Sequence, residues 1–149
     1  MKHKLLLLAL AAVGSVALMC SCGNDEPANP GATELFRGTM WKDSYDTVVV
    51  YNDRDYAETL SAIILFSETS DSCRLDMVTQ TTDPIQDISA LQTPCTYSYN
   101  ADTRKGFLTY LYNNAGYPFE YTPDSKTLTI AFPDDEGHFR TWHLSQVVQ

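Results

Sequence analysis

Apolar and polar residues alternate in short runs along most of this chain, and turn-forming clusters interrupt the runs at roughly ten-residue intervals. The alternation predicts strands over 35–42, 47–52, 60–66, 73–79, 95–100, 106–112, 117–121, 127–132 and 139–147. Successive strand residues point to opposite faces, so Cys73, Leu75 and Met77 share one face, as do Cys95, Tyr97 and Tyr99, and Leu128, Ile130 and Phe132. Helical spacing is confined to two short stretches, 53–62 and 85–91. Nine Tyr, six Phe and two Trp, set among Val, Ile and Thr, suit pleated surfaces. The expected fold class is all-β: a small antiparallel up-and-down barrel of about eight strands, with a β-sandwich as the alternative.

A weak repeat orders the strands. Phe66–Leu75, Tyr99–Leu108 and Tyr121–Leu128 each run from an aromatic residue through an Asp-Ser or Asp-Thr turn into an apolar strand. Asp and Ser hydrogen-bond to their own backbone in such turns, which gives the repeat a physical basis. A fourth hairpin loop lies between Phe132 and Phe139. Consecutive hairpins make a meander whose loops alternate between two ends. Loops 67–72, 101–105 and 122–126 fall at one end; loops 80–94, 113–116 and 133–138, which include the longest and the most acidic, fall at the other. The second end is the expected mouth, because binding groups concentrate on loops held by a rigid scaffold.

The amino terminus is built differently. Lys2, His3 and Lys4 precede an apolar run from Leu5 that is broken by Gly14 and Ser15 and ends in Met19-Cys20-Ser21-Cys22. A basic start, a short apolar middle and a small-residue exit make a secretory signal over 1–21. The run is shorter than the about 20 residues a bilayer-spanning helix needs. Its exit resembles the lipobox of bacterial lipoproteins, in which a cysteine is diacylated. Cys22, preceded by Ser21 and with Met19 three residues before, fits that pattern better than Cys20, which follows the bulky Met19. Gly23-Asn24-Asp25-Glu26 resembles the acidic stretch after the lipid cysteine of surface-exposed lipoproteins in gut Gram-negative bacteria. The resemblance implies an outer-membrane lipoprotein exposed at the cell surface, with 22–34 as a Pro- and Gly-containing tether and 35–149 as the folded domain. Acyl chains contribute ~0.8 kcal/mol per buried CH₂, so a multiply acylated cysteine is a stable anchor.

Removing 1–21 leaves 128 of 149 residues, one domain's worth. Lys2 and Lys4 leave with the signal, so 8 basic residues face 19 acidic ones, a net charge of −11. Such a field repels nucleic acid and anionic membrane surfaces, leaving the N-terminal lipid as the expected membrane contact.

Gly38-Thr39-Met40-Trp41-Lys42, followed by a run of hairpins, is similar to the opening of lipocalin-like domains in gut-bacterial envelope lipoproteins. That resemblance implies a small barrel with an apolar cavity. Lipocalins carry Gly-x-Trp where this chain has Gly38-x-x-Trp41, which moves the Trp to the other face relative to the Gly.

Candidate chemistry is sparse. Cys73 and Cys95 read either as buried free thiols or as a disulfide. If strands 73–79 and 95–100 are consecutive neighbours, Cys73 lies opposite Asn100, some 15–20 Å from Cys95, whereas a bridge needs Cα atoms within about 7 Å; this register favours free thiols. Asn52-Asp53-Arg54-Asp55 mimics the start of a calcium loop but has no Gly at the sixth position and no distal Glu. Asp134, Asp135 and Glu136 with His138 read as a solvated acidic turn. His143 reads as packing or surface, and neither it nor His138 has an evident Ser and Asp partner. No enzyme, metal or cofactor is expected. Trp41, Tyr117, Asp134, Asp135 and His138 are the candidate ligand-binding residues of a binding module for a small apolar or glycan-derived ligand. The alternative is a non-catalytic interaction protein, an inhibitor or accessory subunit of an envelope complex, working through the same loops or an open sheet edge.

Overall fold

A computed structural model describes residues 34–82, 87–133 and 137–148. Eight antiparallel strands follow one another: β1 Met40–Tyr51, β2 Arg54–Phe66, β3 Ser72–Thr82, β4 Asp87–Asn100, β5 Lys105–Tyr110, β6 Gly116–Thr122, β7 Thr127–Pro133 and β8 Phe139–Gln146. Each pairs with its sequence neighbour, and β1 meets β8 to close a barrel. The up-and-down barrel is therefore the fold, and there is no helix among the described residues.

Four expectations need correction. The strands expected over 35–42 and 47–52 are one strand, β1, preceded by a turn at 34–38. Asp43 and Ser44 carry turn chemistry, but the inward series Trp41, Tyr45, Val49 runs through them unbroken. The helical spacing over 53–62 gives way to β2, because Asn52 and Asp53 both take positive φ, 51° and 58°, and make a two-residue hairpin. That pair of left-handed residues is the type I′ geometry that matches strand twist. It also places the calcium-like Asn52–Asp55 segment on a hairpin tip rather than in a loop that could wrap an ion. Most of the second helical stretch belongs to β4. The long connection expected over 80–94 shrinks to 83–86, since β3 and β4 continue through its polar residues.

The strands fall into two length classes. β1–β4 span 12, 13, 11 and 14 residues, whereas β5–β8 span 6, 7, 7 and 8. β4 pairs with β5 only from Cys95 to Asn100, and β1 with β8 only at Trp41 and Lys42. The outer halves of β1–β4 therefore rise beyond the closed section as a four-stranded overhang. The turns 67–71, 101–104 and 123–126 lie at the opposite end, as the Asp-centred repeat predicts. In the turn after β4, Asn100 Oδ1 accepts the N–H groups of Asp102 and Thr103 at 2.9 and 3.0 Å.

That opposite end is sealed by an aromatic plug. Phe36, in the turn before β1, is 0% exposed. Its ring lies 4.9–6.3 Å from those of Trp41, Phe66, Tyr97, Tyr99, Phe119 and Tyr121. The turn is pinned by Gly38 N–H to Ser67 C=O at 3.2 Å and Thr39 N–H to Phe36 C=O at 3.1 Å. Gly38 takes φ +64°, a conformation that favours glycine. Inside the wall, Gly106 lets Phe119 lie flat on β5: a Cβ at 106 would sit 2.1 Å from Phe119 Cζ.

Candidate functional site

The open end is lined by inward side chains that the plug does not reach. Tyr117 of β6 sits among Tyr110, Phe132 and Phe139, with ring centroids 4.8, 5.5 and 6.4 Å away. Tyr117 is half-buried, packed against the core without being covered by it. Burial raises the phenol pKa of both Tyr110 and Tyr117 above the ordinary value, so both remain neutral hydrogen-bonding groups at physiological pH. Across the mouth, Tyr45 packs on Trp142 at 5.4 Å, and the Arg140 guanidinium lies 3.6 Å over the Tyr45 ring, a cation–π contact. Leu60 and Met77 are partly buried and lean on the same core. Further out, the overhang holds a cleft of about 290 Å³ lined by Val49, Tyr51, Tyr56, Thr81 and Asp87.

One carboxylate shapes the wall beside the mouth. After Lys42↔Ser145 the β1–β8 ladder stops. Its next rung would join Ser44 to His143. Instead Asp43 accepts the Ser44 N–H on Oδ1 at 2.8 Å and the His143 N–H on Oδ2 at 2.9 Å. A single side chain thus satisfies both edge donors and holds the strands apart at that level.

The candidate residues are only partly brought together. Tyr117 is at the mouth, and His138 is exposed in the adjoining loop. Asp134 and Asp135 lie outside the described residues, as do Cys20 and Cys22. Trp41 does not join them. It is 1% exposed at the sealed end, where its Nε1–H donates to Thr39 Oγ1 at 2.8 Å and its ring meets Phe36 and Tyr121. Gly38 stands in the turn and not in a strand, so facing parity between Gly38 and Trp41 has no meaning, and Trp41 fills the barrel interior. Sequence reasoning missed Phe36, Tyr45, Trp142 and Arg140. The parity of β8 carries a signal for Trp142 and Arg140, two residues apart on one face.

The register of β3 and β4 overturns the argument that kept the cysteines apart. Cys73 pairs directly with Cys95. Both are buried free thiols, and Cys95 Sγ donates to the Thr93 carbonyl at 3.3 Å. The hydrogen bond to Cys95, reinforced by burial, pushes the Cys73 thiol pKa far up. The expected separation failed because the β3–β4 register is centred at residue 84, between two and three residues before the point assumed from the short strands, which moves the partner of Cys73 five residues, from Asn100 to Cys95. Among the described residues no three His, Cys, Asp or Glu side chains converge as a metal-ligand set.

No family model matches this chain, and neither a curated protein nor a solved structure matches it.

Proposed function

We propose that the protein is a lipid-anchored binding module of the cell envelope that holds a small apolar or glycan-derived ligand in the barrel mouth. The observation that carries this reading is asymmetry: Phe36 seals one end, while the other presents Tyr117, Tyr45, Leu60 and Met77 inward and incompletely covered. Partly exposed aromatic rings supply large apolar area at small entropic cost, and Tyr hydroxyls add orientation, the mix typical of ligand sites. The anchor is Cys22, with the mature chain on the outer membrane and its acidic surface keeping it soluble. The role is binding without chemistry: the hydroxyl that meets the His143 ring, Thr129 Oγ1 at 3.2 Å from Nδ1, lies on the exposed outer face of β7 and β8, away from the mouth.

Native mass spectrometry of the mature protein purified from its own host tests the reading directly. Co-purified small molecules support it. A second arm uses the neutral apolar fluorophore N-phenyl-1-naphthylamine. Tyr117→Ala removes an aromatic wall worth ~2 kcal/mol of apolar contact, so affinity falls more than about tenfold. A probe that binds Tyr117→Ala as well as the parent protein refutes the mouth as the site.

A further inference from the structure

Among the described strands, the outer half of β4 holds the longest unbroken run of exposed residues. Every residue from Asp87 to Gln92 is exposed on whichever face it points to, including inward Leu91 at 64% and outward Ile88 at 67%. Rung alternation identifies which backbone groups are unpartnered. Tyr97 N–H donates to the C=O of Asp71, which lies immediately before β3 and one step beyond the Ser72↔Thr96 pair of the same register. Odd-numbered β4 residues therefore turn their N–H and C=O toward β3, and Ile88, Ala90 and Gln92 turn theirs away. β5 stops at Tyr110, opposite Cys95, so nothing described lies where its continuation would run. The notch ends at Pro94, which has no N–H to offer and whose carbonyl accepts Leu111 N–H at 3.0 Å. Leu111 and Tyr112, both exposed, stand at that end of the notch.

Charge selects the occupant. The overhang carries Asp46, Asp53, Asp55, Glu58 and Asp87 against Arg54 alone. A second copy would bring the same negative field to the same edge. The chain's own N-terminal segment enters at the sealed end, contains Asp25, Glu26 and Glu34, and is interrupted by Pro27 and Pro30. We propose that the β4 edge at Ile88–Gln92 takes up an extended, basic, β-forming segment of another polypeptide as an added strand. Main-chain bonds to residues 88, 90 and 92 supply affinity. Alternate side chains supply selectivity, apolar ones on Ile88 and Leu91 and cationic ones toward Asp87. This interface is separate from the mouth and does not depend on a ligand there.

Amide chemical-shift mapping on the full mature chain tests it, with end-blocked octapeptides of alternating Val and Lys, or Val and Glu, as probes. The Val–Lys peptide is expected to shift the amides of Ile88, Ala90 and Gln92, and to bind about tenfold more tightly than the Val–Glu peptide, with the difference shrinking as salt rises. Ala90→Pro removes an outward N–H at the same parity as the natural Pro94, leaving the β3 ladder intact; it should weaken binding about tenfold. Asp87→Lys should weaken the Val–Lys peptide and narrow or reverse its advantage over the Val–Glu peptide. Absence of shifts at 88–92, equal binding of the two peptides, or undiminished binding by a folded Ala90→Pro variant overturns the proposal.

Discussion

Replacing Phe36 with Ala tests whether the barrel depends on a residue that lies outside its strands. The ring is fully buried and removes on the order of 150–250 Å² of side chain from solvent, worth ~4–6 kcal/mol at 25 cal/mol/Å². Measured Phe→Ala changes in cores cost ~3–5 kcal/mol because neighbours relax only partly. Six aromatic neighbours converge on this ring, so little collapse is available and the upper half of that range applies. A second process caps the loss. The turn at 34–38 is joined to the barrel by few hydrogen bonds, and once the ring is gone it can detach, so the cost cannot exceed the free energy that docks the plug. The expected loss is ~4 kcal/mol, lowering Tm by on the order of 15 °C for a domain of this size. Urea unfolding in a Trp142→Phe background isolates Trp41, whose ring lies 5.8 Å from Phe36. Its emission should shift to the red before global unfolding. Phe36→Leu should recover about half of the loss. A Phe36→Ala loss below about 1 kcal/mol with unchanged Trp41 emission would refute the plug.

Four further outcomes are expected. Gly106→Ala drives a Cβ into Phe119, 2.1 Å from Cζ, and should cost ~1–3 kcal/mol by urea unfolding; paired with Phe119→Leu it should cost less than the two single changes summed. A thiol oxidant should close Cys73–Cys95, whose directly opposed Cα positions sit ~5.5 Å apart at a hydrogen-bonded rung. Intact mass should fall by two hydrogens and stability should rise by ~3 kcal/mol, while two alkylatable thiols after oxidation would contradict the register. Burial raises the phenol pKa of Tyr97, Tyr99, Tyr110 and Tyr117, so the unfolded chain loses those protons first. Stability should be level below about pH 10 and fall as pH climbs above it, read as melting temperature against pH beside tyrosinate absorbance. Cys22→Ser should release the protein from the membrane fraction whereas Cys20→Ser should not; the reverse pattern moves the anchor to Cys20.

The meander and the two-ended distribution of its turns were legible because each turn carries its own chemistry. Asp71, Asp102 and Asp124 mark one end, and the inward series on β5–β8 alternates cleanly, as in Leu128, Ile130, Phe132. Legibility failed where burial does not alternate. Asp87–Gln92 is wet on both faces, so Asp87, Ser89 and Gln92 look like a loop although they belong to strand β4. Loss of those residues from the expected strand displaced the register and separated two cysteines that face each other. Phe36 was invisible for another reason: its apolar neighbour Leu35 and the following Trp41 suggest a strand, and nothing local reveals that the chain folds a turn into the barrel. At the mouth, Tyr117 was identified from its type and position, while Tyr45, Trp142 and Arg140 assemble from strands that meet only when the sheet closes.

The sealed end is also the end by which the polypeptide enters, since Glu34 leads straight into the Phe36 turn. On the proposed anchor at Cys22, the tether would therefore join the molecule at its stoppered end, leaving the aromatic cup and the acidic crest above it at the end remote from the point of attachment.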